Sequence, residues 1–509
     1  MIVLSALFLQ KNTESSGDWY TAIESLKVDS VLGMTADAVA PFITEDPEEI
    51  RARQCIFADC IENPDLVQGF EKLLGYITDI KEIIKKEQTY AQGMERTLYS
   101  VRAIEFYLDA IALAEKLYVS TGEKLNSERL KSFLFGFHAV FISERFKQIG
   151  DYVRQCLENV QTVKSFTVGI NLNAKLEPVE IGILSMNEEE FVTSNFFTDL
   201  FTPSGRTQQF VTPMIRFSGK NELLQRSLYL TMNNYLCKSV SRAFRDILKS
   251  MDEITLSMLS AEKELRFLCR ACAFIDGLKE NKAPFCFAVP DADSCCVQSA
   301  YSPILLKHIR YTEIVPNDIR FDREGISVHI LTGANSGGKS VYLQTVGITQ
   351  ILFQLGLCIP ALQARLRPLH GVYTHFASDC SADDASGDSR FAAECRQMKS
   401  ILERLTPDSL VLMDESFSGT AATEGAAVAA QVLKHLLRKG CFCIYSTHIH
   451  EVVLFIDDLN RKKRSVAPMC VDTKEGVRTF HVLFNKTDEH SHAYDIAKKY
   501  GLEFSEEEE

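Results

Sequence analysis

Eight residues, Gly333-Ala334-Asn335-Ser336-Gly337-Gly338-Lys339-Ser340, restrict the fold of this chain more than any others. They satisfy G-x-x-x-x-G-K-[ST], a pattern that works where a buried strand feeds a tight loop and a helix leads out of it. Both flanks are present: the apolar run ISVHIL (326–331) before the loop, and the helical pattern SVYLQTVGITQILFQLG after it. The glycines let the backbone fold around phosphates with its N–H groups pointing inward, and the helix N-terminus adds a favourable dipole. Lys339 is expected to reach the β and γ phosphates of a bound nucleotide, and the Ser340 hydroxyl to bind Mg²⁺. Gly333, Asn335, Gly337, Gly338 and Val341 complete the expected phosphate cradle.

Two more strand ends point to the same place. Seventy-five residues after Lys339, Leu410-Val411-Leu412-Met413 runs into Asp414-Glu415, the pattern of a buried strand ending in two carboxylates. Asp414 is placed to hold the Mg²⁺ shell, and Glu415 to orient and deprotonate an attacking water. A third apolar run, 441–446, ends in Thr447-His448, where a histidine can sense the γ-phosphate. Together these predict an ATPase site using ATP and Mg²⁺. A rival reading takes His448-Ile449-His450, with His490 and His492, as the start of a zinc site. Zinc hydrolysis needs three or four converging ligands and no phosphate loop.

Organisation upstream differs. Residues 46–164 read as helices, with Asp46 as N-cap, Pro47 at the first position and Glu49 reaching back in a capping box. Apolar periodicity continues through 65–86, 93–117 and 127–160. Two β-branched runs, 165–173 and 178–186, predict paired strands in a small insertion over 165–219. A long helical pattern returns over 220–290. Residues 1–45 form an N-terminal segment whose apolar start, 1–9, reads as a strand because no basic residue precedes it. The fold expected is mixed: an all-α region with a small β insertion, then an α/β nucleotide-binding domain over 291–509.

No run approaches the ~20 apolar residues a membrane helix needs, so no membrane partner is expected. The 15 cysteines, an odd number in a chain this long, read as reduced thiols in a cytoplasmic protein. Cys269 and Cys272 sit inside a helical pattern and read as core thiols rather than zinc ligands. A net charge of -13 argues against coating nucleic acid through bulk charge. Residues 201–250, however, carry eight basic and two acidic side chains, against 19 and 31 in residues 1–200. Lys238, Arg242, Arg245 and Lys249 are spaced 4, 3 and 4, which places them on one helix face. That stripe, about 17 Å long at 1.5 Å per residue, fits either a phosphate backbone or an ordinary solvated face.

At this point the residues resemble a known family. TGANSGGKS (332–340), DDASGDSRFAAE (383–394), MDESFSGTAATEG (413–425) and STHIHE (446–451) follow the order and spacing of the MutS family. The resemblance covers about 301–502. Upstream, TEDPEEIRARQ (44–54) and the alternating helices resemble that family's helical core and lever. The resemblance implies an ABC-type ATPase domain working as a homodimer with composite sites, and clamping on double-stranded or branched DNA in mismatch repair or related repair and recombination. By motif matching it implies that Asn335 positions the catalytic water and that Ser389 reaches across to the partner's γ-phosphate. It also implies that Ile314 and Val315 pack the adenine.

Departures are present. Ala334 and Ser336 stand where the family has Pro and Met, and Asp388 and Arg390 flank Ser389 where Arg and Thr are usual. Ser416-Phe417-Ser418 replaces a Leu-Gly-Arg-like stretch, and Ala421 replaces a Ser. Hydrolysis is expected to survive, with coupling across the dimer open to change. The helical core starts near residue 45, so neither a mismatch-reading wedge domain nor a C-terminal Smr nuclease is expected. The other functional reading is a scaffold or remodelling ATPase acting on a protein or ribonucleoprotein, and the basic stripe discriminates the two.

Overall fold

The computed structural model describes residues 7–8, 19–89, 94–151, 154, 164–175, 178–190, 258–333, 337–376, 390–474 and 477–486. The chain mixes helices and sheets and divides into two compact units.

Leu7 and Phe8, expected in a strand, form a bend instead. Their N–H groups donate to the Glu264 carboxylate at 2.6 and 3.2 Å, so a side chain takes the place of a strand partner. Helices α1 (Trp19–Ser25), α2 (Val28–Leu32) and α3 (Ala36–Val39) follow, then α4 (Pro47–Glu62). Asp46 caps α4 by accepting the Glu48 N–H at 3.0 Å. Glu49 does not reach back as the capping box requires. Its buried carboxylate is held by Arg53 Nε at 2.7 Å and by an Arg129 guanidinium nitrogen at 2.6 Å. Burial pushes the Glu49 pKa up, but Arg129 and Arg53 outweigh it and hold the group below the ordinary carboxylate value.

One unit comprises residues 1–5, 68–124 and 130–262. It takes most of α5 (Pro64–Thr89), α6 (Met94–Thr121) and α7 (Glu128–Phe141), whose apolar faces meet at Phe70 and Phe133. The periodic stretch 127–160 is interrupted after Phe141. There the Ser143 hydroxyl donates to Val140 O at 2.6 Å and accepts the Phe146 N–H at 3.2 Å, so a new helical turn starts. Strands β1 (Ser165–Leu172) and β2 (Pro178–Asn187) pair antiparallel, at the two β-branched runs.

The other unit, residues 6–67, 125–129 and 263–509, carries the nucleotide motifs. Cys269 and Cys272 are buried on α8 (Glu262–Glu280). A small sheet of order β3-β7-β4-β5 joins β3 (Val289–Pro290), β4 (Ser294–Ala300), β5 (Asn317–Asp322) and β7 (Gln363–Leu366).

The main sheet starts with β6 (Val328–Thr332), which runs into α9 (Lys339–Gln354). It continues with β8 (Gly371–Phe376), α10 (Arg390–Arg404), β9 (Ser409–Asp414), α11 (Ala422–Lys439) and β10 (Phe442–Ser446). It closes with α12 (Ile456–Leu459), β11 (Val466–Lys474) and β12 (Val477–Phe484). The strand order is β12-β11-β6-β10-β9-β8, parallel except for β12. Successive side chains alternate faces. Val328, Ile330, Val411, Met413, Cys443 and Tyr445 pack against Met398 and Ile401 of α10 and Ala429 and Leu433 of α11. The intervening residues face α9, where Gly347 permits close approach: a Cβ there would lie 2.9 Å from Leu412 and 2.5 Å from Leu26. Period two then sends Asp414 to the α9 face.

Candidate nucleotide-binding site

The phosphate loop and the paired carboxylates are not on neighbouring strands. β10 lies between β6 and β9, and its end is bonded to both. Thr447 N–H donates to Leu331 O at 3.0 Å on one side, and Glu415 N–H donates to Ser446 O at 2.9 Å on the other. Three strand tips therefore share one rim.

Gly338 enters α9 with φ of +93°, a conformation open to glycine at little cost. Lys339 is buried, and its ammonium donates to Gly333 O at 2.7 Å, which folds the side chain back over the loop. Ser340 is exposed at the helix N-terminus and Gly337 is buried. Asn335 and Ser389 lie outside the described residues, as do Lys238, Arg242, Arg245 and Lys249.

A cavity of about 450 Å³ opens over the loop. Gly338, Lys339, Ser340, Val341 and Glu415 line one part of it, and Ile314 and Val315 another. Glu415 has φ of +50° and a partly exposed side chain, and His448 Nδ1 lies 3.7 Å from its Oε1, beyond a direct hydrogen bond. Asp414 Oδ1 and Ser446 Oγ are buried with no hydrogen-bond partner among the described residues. Their residues pair in register at the ends of β9 and β10. A buried carboxylate oxygen without a donor is costly unless a cation or water completes it, so Asp414 with Ser340 suits a hard divalent ion such as Mg²⁺.

Sequence reasoning missed Phe480. It lies on β12 with φ of +59° and projects into the cavity, half-exposed, its ring 3.3 Å from where a Cβ on Gly338 would sit. The β11–β12 register is irregular between Val471 and Thr473, facing the stretch that holds Phe480, and such bulges re-aim side chains. Asn317 fixes the wall. Its amide donates to Phe480 O at 3.0 Å and to Val315 O at 3.4 Å, and its Oδ1 accepts the Val482 N–H at 2.7 Å. The sequence signal was Asn317 itself, in the Ile314-Val315-Pro316-Asn317 stretch already singled out for adenine. Of the rival zinc set, His490 and His492 lie outside the described residues. Among the described residues no three His, Cys, Asp or Glu side chains are grouped to hold a metal.

Comparison with known proteins matches two stretches of the chain. Residues 329–506 match the family described as MutS domain V, and residues 45–281 match the MutS2 N-terminal domain. The chain belongs to the MutS family. Among curated relatives, the DNA mismatch repair protein MutS of Caldicellulosiruptor saccharolyticus is 27% identical over 286 residues, covering 50% of this chain and 32% of the relative. The endonuclease MutS2 of Shouchella clausii is 26% identical over 297 residues, covering 56% and 36%. The MutS of Prochlorococcus marinus strain MIT 9301 is 30% identical over 260 residues, covering 47% and 26%. This MutS-family chain thus spans about a third or less of the length of the relatives it matches. No helix among its described residues is long and apolar enough to cross a membrane.

Proposed function

We propose that this chain is a Mg²⁺-dependent ATPase of ABC type, whose paired sites at a homodimer interface couple ATP binding and hydrolysis to holding double-stranded or branched DNA. The observation that carries the reading is a single cavity lined by Lys339, Ser340 and Glu415 at one part and by Ile314, Val315 and Phe480 at another. Its size suits a nucleotide, since ligand pockets run from roughly 300 to 1,000 Å³.

Each residue has a task. Lys339 and the loop N–H groups bind the phosphates, and the adenine packs between Phe480 and the Ile314–Val315 wall. Glu415 accepts the proton of the attacking water, which Asn335 orients, while His448 beside it meets the γ-phosphate. Ser340 and Asp414 would hold Mg²⁺, which would offset the negative charge of the phosphates. Ser389, supplied from a second copy, makes nucleotide binding depend on dimer closure. Closure then moves the helical arms that present Lys238, Arg242, Arg245 and Lys249 to the phosphate backbone.

The test pairs two variants. Lys339→Ala is expected to abolish ATP turnover. Glu415→Ala is expected to bind ATP, hydrolyse none of it and accumulate as a dimer in size-exclusion runs with ATP. Normal turnover by Glu415→Ala would remove the base assignment.

A further inference from the structure

The two residues that follow Glu415 are gripped from three separate elements, and all the groups involved are buried. Glu394, in the second turn of α10 and wholly buried, accepts the Phe417 N–H through Oε2 at 2.6 Å. Tyr445 of β10 donates its hydroxyl to Ser416 O at 2.8 Å. His375 of β8 meets the Ser416 hydroxyl through Nδ1 at 2.6 Å, and its Nε2 donates to Glu394 O at 3.0 Å. The same Ser416 hydroxyl lies 3.1 Å from His375 O, and the His375 ring stacks on Phe417 with centroids 5.6 Å apart.

That grip has an object. Glu415 and Phe417 are both non-glycine residues in the left-handed region, at φ of +50° and +65°. Such a turn persists only where its surroundings over-determine it, and it directs the side chain on it. Glu394 is an unusual choice for the purpose, because a buried carboxylate is expensive and a neutral acceptor would bond one N–H as well. Its counter-charge is Arg390, 3.3 Å from Oε1 and half-exposed at the start of α10. Neither His375 nor Ser416 takes part in the phosphate chemistry assigned above.

We propose that Glu394, with His375 and Tyr445, is a positioning group for Glu415: it holds the Ser416–Phe417 peptide so that the Glu415 carboxylate faces the attacking water. This rests on the ATPase reading. Displacing a catalytic group by about 1 Å costs up to ~100-fold in rate without touching substrate affinity, so the signature is a kcat loss alone.

Steady-state ATP hydrolysis and equilibrium binding of a fluorescent ATP analogue are measured on the full chain, wild type beside Glu394→Ala, Glu394→Gln and Tyr445→Phe. Glu394→Ala is expected to lower kcat at least tenfold with nucleotide Kd within twofold of wild type. Glu394→Gln, which keeps an acceptor for the Phe417 N–H, is expected to recover most of that loss. If Glu394→Ala does not fold, Tyr445→Phe carries the test, with a kcat several-fold lower at unchanged Kd. A wild type that turns over ATP while all three variants stay within twofold in kcat overturns the positioning role and leaves the ATPase reading intact. Equal losses of kcat and affinity in the Ala and Gln variants also overturn it. A wild type with no turnover that Lys339→Ala removes overturns the ATPase reading and this inference with it.

Discussion

Phe480 and Glu49 mark the limits of reading single residues from sequence. Phe480 supplies a free aromatic face beside the phosphate loop, and base stacking on such a face contributes roughly 1–2 kcal/mol. Phe480→Ala is therefore expected to weaken ATP binding about fivefold to thirtyfold while kcat at saturation stays near wild type, which nucleotide titration with steady-state kinetics checks. An unaffected Kd would remove Phe480 from the adenine site. Its position beside the cavity was not legible because it lies 141 residues beyond Lys339, on a strand whose pairing is irregular there. Glu49 was misread for the opposite reason. The local capping pattern was complete, but the buried Arg53 and Arg129 charges outbid a backbone N–H for the carboxylate. The places of four other residues in the fold were readable, Asp414 and Glu415 where an apolar run ends and Lys339 and Ser340 where a glycine-rich loop leads into a helix.

Elements were legible where one period governs a stretch, as in α9, β9 and β10, and less so where side chains intervene, as at Ser143. The packing of β6 was beyond sequence reasoning. His329 on β6 is buried against the rings of Phe321 and Phe484, with Nε2 donating to Arg320 O at 2.8 Å. Nδ1 has no partner among the described residues. Burial drives its pKa down to about 4 from the ordinary 6.5. The native state thus refuses a proton that the unfolded chain accepts. Stability is unaffected by this group above pH ~6.5 and falls as pH drops from there toward ~4, by roughly 3 kcal/mol in all. Denaturant melts across that range check the slope, and His329→Leu is expected to flatten it. On the other side of the sheet, Gly347→Val would drive side-chain atoms into Leu26 and Leu412. A loss of about 1–3 kcal/mol is expected, seen as a lowered denaturation midpoint at unchanged m-value.

For the whole molecule, the basic stripe at 238–249 stands against a net charge of -13. If it grips a phosphate backbone, changing Lys238, Arg242 and Arg245 to Glu is expected to flatten the log K against log salt slope by about 2–3, similarly for homoduplex, mismatched and branched DNA. Binding with no salt dependence in any nucleotide state would favour action on a protein or ribonucleoprotein. The α/β order beyond residue 301 could be read from the change in periodicity, whereas the bounds of the two compact units could not, since one gathers residues 6–67, 125–129 and 263–509. The sheet order could not, because apolar runs do not encode their neighbours. That order has a dimensional consequence. With β10 interposed, the ends of β6 and β9 stand two strand spacings apart, about 10 Å, a separation set by backbone pairing. Under the proposed ATPase reading, that gap would act as a gauge for polyphosphate length. Three phosphates would span more of that gap than two, so a nucleoside diphosphate is expected to bind without being hydrolysed.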